Sequence, residues 1–231
     1  MTSTPLAGQR PGDVAPGARP GPGPTANGHP PGPAAADHIG LPWYVLEDYR
    51  CFGCSPHNPH GIQLRFTHHG DGLRTVFRLG RAHESYPGVV HGGLLGVIAD
   101  EIMGNLIVLR TGQIPFTTGM RLRYVLPVTV GGGYECTARV RDGGAQLIHT
   151  ESEIREENGA VVATATASYR TVSLDAASDR MELDAAQVDR LRRALSAATT
   201  TAPTTGAPTV VAAKAPAAIT DRPEESHVRV D

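Results

Sequence analysis

Between Gly92 and Arg110 the chain carries the one stretch of its core that reads as a long helix, and it is apolar almost all round. Leu94, Val97, Ile98, Ile102, Leu106 and Leu109 recur at steps of three and four, the helical period. A helix with so little polar surface has to be buried on most sides. The rest of the core must therefore wrap around it.

The flanking segments carry the other period. "IQLRFTHH" (62–69) and "LRTVFRL" (73–79) read as strands joined by the turn-rich link His69-Gly70-Asp71-Gly72. After the helix, "GMRLRYVLP" sets Met120, Leu122 and Tyr124 against Arg121 and Arg123, and "YECTARVR" alternates in the same way. "AQLIHTESEIRE" and "AVVATATASYRTV" complete the set, separated by the Glu157-Asn158-Gly159 turn. Strands grouped without helices between them predict an antiparallel sheet. The expected class is α+β: one curved antiparallel sheet wrapped around one long central helix.

Composition bounds the remainder. Residues 1–40 hold 9 Pro and 8 Gly and almost no large apolar side chain, so this tail is expected to be disordered. The core is expected over 41–174. A short amphipathic helix follows within 175–197, where Val188, Leu191 and Leu195 fall at helical spacing; we expect it to be a lid packed on the core rather than a partner-binding helix. The Ala/Thr/Pro-rich 198–231 reads as a second disordered tail. Net charge is -2, so no global field favours nucleic acid or a membrane surface. The only lysine is Lys214, in that tail, which excludes a lysine Schiff base or a phosphate-loop lysine in the core. Without an apolar leader, and without a run of about 18 uncharged apolar residues, the chain is expected to be cytoplasmic and to have no membrane partner.

The start of the helix is unusual. "YPGVVHGGLLGVIADEIMGN" places His91, Gly92 and Gly93 ahead of it and Asp100-Glu101 within it. Two glycines cost helix propensity, and acids on an apolar helix are expensive unless paired or used. Helix-terminal amides have no intrahelical partner, and glycine lets a ligand approach them closely. With the helix dipole they suit an anion or a carbonyl oxygen gaining charge. Asp100 lies seven residues beyond Gly93, roughly 10 Å along the axis. One helix cannot bring both to one reacting atom; two antiparallel helices across a two-fold can. Asp100 and Glu101 point about 100° apart, so one is expected to face the site and the other solvent or an ion pair. His91 either shapes the turn or touches substrate.

Other groups are weaker. Cys51, Cys54, His57 and His60 in "CFGCSPHNPHG" have a zinc-like order, but their three-residue steps are too cramped for two knuckles. The reading is buried thiols plus a turn, with no metal and no cofactor. Cys136 is expected in the core. Thr117 and Thr118 offer hydroxyls at a strand start, and Arg121 and Arg123 share one strand face, where they either hold phosphates or solvate the surface.

"CFGC…NPHGIQLRF", "YPGVVHGG", the acid nine residues after His91 and "RYVLPV" together resemble the hotdog-fold acyl-CoA thioesterases of the PaaI-like group, in the branch that includes the thioesterase superfamily member 4 proteins. The resemblance covers roughly Arg50 to Val172. It implies a hotdog fold, a homodimer or dimer of dimers with active sites at the interface, and hydrolysis of acyl-CoA. It also implies Asp100 as base or nucleophile, Gly92 or Gly93 polarising the carbonyl, and His91 lining the site. Thr117, with Thr118 as the off-by-one alternative, would orient the attacking water. Ser85 stands where some relatives carry a water-holding Asn, and Arg121 or Arg123 would meet CoA phosphates. The competing readings are a non-catalytic acyl-CoA-binding or regulatory hotdog protein, an enoyl-CoA hydratase, and a metal or redox role for Cys51 and Cys54.

Overall fold

The computed structural model describes residues 38–201. Both predicted tails lie almost wholly outside the described residues. The long helix, α1, runs Gly92–Thr111. His91 is its N-cap, in an extended conformation, with Nδ1 accepting the Gly93 N–H at 2.9 Å. The helix stops at Gly112, whose φ of 65° is left-handed and whose N–H donates to the Val108 carbonyl at 2.8 Å. This is the glycine C-cap that a side chain would strain. Ile98, Ile102, Met103 and Ile107 are fully buried. By length and composition α1 could cross a bilayer, although it carries two acids; its apolarity is accounted for by the sheet around it.

That sheet has six strands: β1 (Thr67–His69), β2 (Gly72–Phe77), β5 (Ile114–Tyr124), β6 (Tyr134–Gly143), β7 (Leu147–Glu156) and β8 (Val161–Val172), in the order β1-β2-β6-β7-β8-β5. Every neighbouring pair is antiparallel. The pleat sends alternate residues to opposite faces. On β8, Ala163, Ala165, Ala167 and Tyr169 are buried in the same cluster as the apolar face of α1. Three alanines let the sheet approach the helix closely, and Tyr169 fills the wider end.

Two parts depart from the sequence reading. The stretch 62–69 is a strand only from Thr67. Gln63 adopts a φ of 58°, the only non-glycine positive φ among the described residues, and its side-chain amide donates to the Asn58 carbonyl at 3.0 Å. The kink drops Leu64 and Phe66 into the core as plugs instead of pairing them. A small hairpin, β3 (Glu84–Tyr86) with β4 (Val89–Val90), also precedes α1. It turns at Gly88, φ 81°, and delivers His91 to the helix start.

After β8 come α2 (Leu174–Ser178) and α3 (Ala185–Thr201), so helical structure passes the predicted boundary at 197 and is split in two. Asp184 and Gln187 exchange side-chain-to-backbone bonds at 2.7 and 2.8 Å, a reciprocal cap that fixes where α3 begins. Leu191 and Leu195 are buried against Leu46, Val108, Ile114, Leu174 and Ala177. The helix is thus packed on the core as a lid.

Candidate active site

Asp100 sits half-buried on α1, facing the β5–β8 end of the sheet. Its Oδ1 accepts two hydrogen bonds, from Thr117 Oγ1 on β5 at 2.8 Å and from the Tyr169 hydroxyl on β8 at 2.8 Å. Both donors come from one register step, since Thr117 pairs with Tyr169. The register then shifts between Thr117 and Gly119. That bulge turns Thr118 away, and its hydroxyl donates to the Ser168 carbonyl at 2.9 Å. A bulge beside a site re-aims one side chain in this way. Thr117, not Thr118, is the hydroxyl at Asp100. Tyr169 is buried, and its phenol is raised by that burial and by the Asp100 charge, so it stays a donor.

A cavity of about 280 Å³ opens at this point, walled by Trp43, Tyr49, Asp100, Phe116, Tyr169 and Met181 among others. A negative oxygen held by two donors beside an apolar cavity can deprotonate water or attack an electrophile.

The other half of the chemistry lies at the start of α1. His91 Nδ1 takes the Gly93 N–H, so that amide is engaged in the cap. The Gly92 N–H, one position earlier, has no acceptor from the chain itself among the described residues. A side chain on Gly92 would meet the Tyr124 ring at 3.2 Å, and the Tyr124 hydroxyl donates to the Gly92 carbonyl at 3.1 Å. Of the two glycines, Gly92 is the one able to donate to an incoming oxygen. Eight residues separate it from Asp100, roughly 12 Å of helix, so one chain does not bring them together.

Ser85 is exposed on β3. Arg121 and Arg123 are not near Asp100. A methyl on Gly96 of α1 would meet Met120 and Leu122 at 3.6 and 3.9 Å, so those side chains take the helix face of β5. Alternation sends the two arginines to the opposite face, in the rows that carry Glu151 and Glu153.

Glu101 corrects a further expectation. It faces neither solvent nor an ion pair but turns into the protein, where Cys51 Sγ lies 2.8 Å from its Oε1. Burial, followed by the neighbouring Cys51 charge, pushes its carboxyl up to about 8. Cys51 is held down at about 5, first by its hydrogen bond with Cys54 and then, against burial, by its bond to Glu101. Cys54 and Cys136 are buried as expected. Tyr169 is the site residue that sequence reasoning missed. The available signal was its size, one large side chain in an inward row of alanines.

The thioesterase superfamily model matches residues 87–163, a span that contains His91, Gly92, Asp100 and Thr117. No curated protein matches the chain. Among solved structures, a thioesterase superfamily protein is 21% identical over 50% of this chain and 57% of its own, with a TM-score of 0.47; the chain thus spans little more than half of that protein. A Streptococcus mutans protein bound to acetyl CoA is 19% identical over 55% of this chain and 96% of its own, TM-score 0.47. A phenylacetic acid degradation-related protein of Ralstonia eutropha is 23% identical over 52% and 92%, TM-score 0.46. The curved antiparallel sheet around α1, with the superfamily match across α1 and the strands that follow it, defines a hotdog fold.

Proposed function

We propose that this protein is a PaaI-like thioesterase that hydrolyses acyl-CoA to a free acid and CoA, at sites shared between two copies of the chain. The observation that carries the reading is the pair of donors on Asp100 Oδ1, beside an apolar cavity, with Asp100 and Thr117 inside the superfamily match and Tyr169 just beyond it. Asp100 acts as general base on water or as the nucleophile itself. In the first route the carboxylate takes a proton from water and the hydroxide oxygen bonds to the thioester carbon. In the second, Asp100 bonds to that carbon and water later cleaves the anhydride. In both, the carbonyl oxygen gains charge and the C–S bond breaks with CoA leaving as the thiolate, which takes its proton from Asp100 in the first route and from solvent in the second. The Gly92 N–H of the second chain stabilises the oxyanion, supported by the positive end of α1. Thr117 and Tyr169 fix the carboxylate.

A two-fold assembly is also supported by the surface. β5 is an edge strand of eleven residues, and Phe116, Met120, Tyr124, Val125 and Leu126 lie exposed on it or just beyond. A long apolar edge is a surface that natural proteins cover.

The test is turnover of a panel of short, medium, long and aryl acyl-CoA esters, followed with a thiol-reactive dye, for wild type and Asp100→Asn. At least one ester turns over, and the variant, folded by circular dichroism, loses about a hundredfold or more of the rate. Equal activity in the variant, or no turnover with binding retained, would favour a non-catalytic acyl-CoA-binding hotdog protein.

A further inference from the structure

The Cys51–Cys54 pair takes no part in the hydrolytic site proposed above. Cys51 and Cys54 lie on the turn that carries the N-terminal segment onto α1, and Glu101 rises from α1 to meet them. One sulfur from each cysteine and one Glu101 carboxylate oxygen all lie within 4.8 Å of one another. The turn is built rather than incidental: Ser55 N–H donates to the Cys51 carbonyl at 3.3 Å, and Leu64 N–H to the Gly53 carbonyl at 2.8 Å. Gly53 is needed where it stands, because a Cβ there would lie 2.2 Å from Glu101 Cγ. The surrounding groups are fixed as well. Asn105 Nδ2 reaches Glu101 Oε2 at 3.3 Å and Cys54 Sγ at 3.9 Å, and its Oδ1 accepts from Trp43 Nε1 at 3.3 Å. The Tyr49 hydroxyl lies 3.2 Å from Cys54 Sγ.

We propose that Cys51, Cys54 and Glu101 form a binding site for a zinc-class divalent cation that clamps the N-terminal segment to α1 beside Asp100. Two thiolates and a carboxylate suit a borderline-soft ion in tetrahedral geometry, with the fourth position taken by water. The ion takes all three ligands deprotonated, so any proton still held by a thiol or by the Glu101 carboxyl passes to solvent as its bond to the ion forms, and binding tightens as pH rises. Asn105 and Tyr49 supply the outer hydrogen bonds that orient such ligands. The sequence order Cys-x-x-Cys, His-x-x-His points to His57 and His60 instead, but both are exposed and lie outside the cluster. The third ligand comes from fifty residues further on, across the fold, which no local spacing reveals.

Cobalt(II) is the probe, titrated into the reduced full-length protein and then displaced with zinc. The expected result is one ion per chain, near-ultraviolet absorption from thiolate-to-cobalt charge transfer, and visible bands of a four-coordinate ion. Cys51→Ser abolishes the charge-transfer band or weakens binding by about a hundredfold, and Glu101→Gln weakens it by about tenfold or more. A His57→Ala/His60→Ala double variant binds as wild type does. If Cys51→Ser fails to fold, Glu101→Gln, which keeps the size and shape of the side chain, carries the test in its place. Absence of the band in the reduced wild type overturns the proposal, as does a band unchanged by the folded Cys51 or Glu101 variants.

Discussion

At the scale of the residue, two oxygens decide what Asp100 can do. Thr117 and Tyr169 both donate to its Oδ1, and a hydrogen bond to a charged group contributes about 1.5–3 kcal/mol. Tyr169→Phe removes one donor while keeping the ring that fills the core. Its kcat/KM is expected to fall by roughly tenfold to a hundredfold, alongside a loss of about 1.5–3 kcal/mol in stability; a lowered midpoint with an unchanged rate would mean that the phenol serves the fold alone. Thr117→Ala should lose a similar factor, whereas Thr118→Ala, whose hydroxyl bonds backbone on the other side of the bulge, should keep the wild-type rate. Steady-state kinetics on the ester that turns over fastest measures all three. The placement of His91, the two glycines and Asp100 along one helix was legible in the sequence because helix geometry fixes their spacing. Tyr169 was not. Its relation to Asp100 depends on the register of β8 against β5, set by pairings that no local pattern specifies.

At the scale of the element, the sequence was most informative where periodicity ran long. The helix α1 and the strands β6 to β8 emerge close to their expected bounds, because a steady period leaves little choice of face; β5 instead begins at Ile114, ahead of the expected "GMRLRYVLP", and ends at Tyr124. Short pieces were less legible. The Gln63 kink breaks what alternation alone would continue, and β3 and β4 are too short to carry a period. The arginines of β5 were assigned to one face correctly, but which face depended on Met120 and Leu122 packing toward Gly96. The C-terminal lid makes its own prediction. Leu191 is fully buried under α3, so Leu191→Ala should cost about 2–5 kcal/mol in urea unfolding. Gly112→Ala forces a side chain into a left-handed conformation against Thr199 and should cost about 1 kcal/mol by the same measurement.

At the scale of the whole molecule, a single chain holds both halves of the proposed site but keeps them apart. Gly92 and Asp100 are on one rigid helix, and no side-chain motion closes eight residues of separation. The exposed apolar run on and beyond β5 is the surface through which a second copy would supply the missing half. Val125→Asp, at a position 49% exposed, should therefore shift the protein toward monomer in sedimentation equilibrium and lower turnover in parallel. A monomeric variant with full activity would contradict a shared site.

Complementation between two inactive chains tests that claim most directly. Gly92→Pro removes the N–H at the first helical position, where proline is tolerated, and the extended φ and ψ of His91 suit a following proline. Gly92→Ala keeps the N–H and serves as control. Gly92→Pro and Asp100→Asn, each inactive alone, are mixed in equal amounts, dissociated and allowed to reassociate. Random pairing leaves one intact site in half of the dimers, so about one quarter of the wild-type activity returns. A mixture that stays inactive while hybrid dimers are demonstrably present would contradict a site built from Asp100 of one chain and Gly92 of the other.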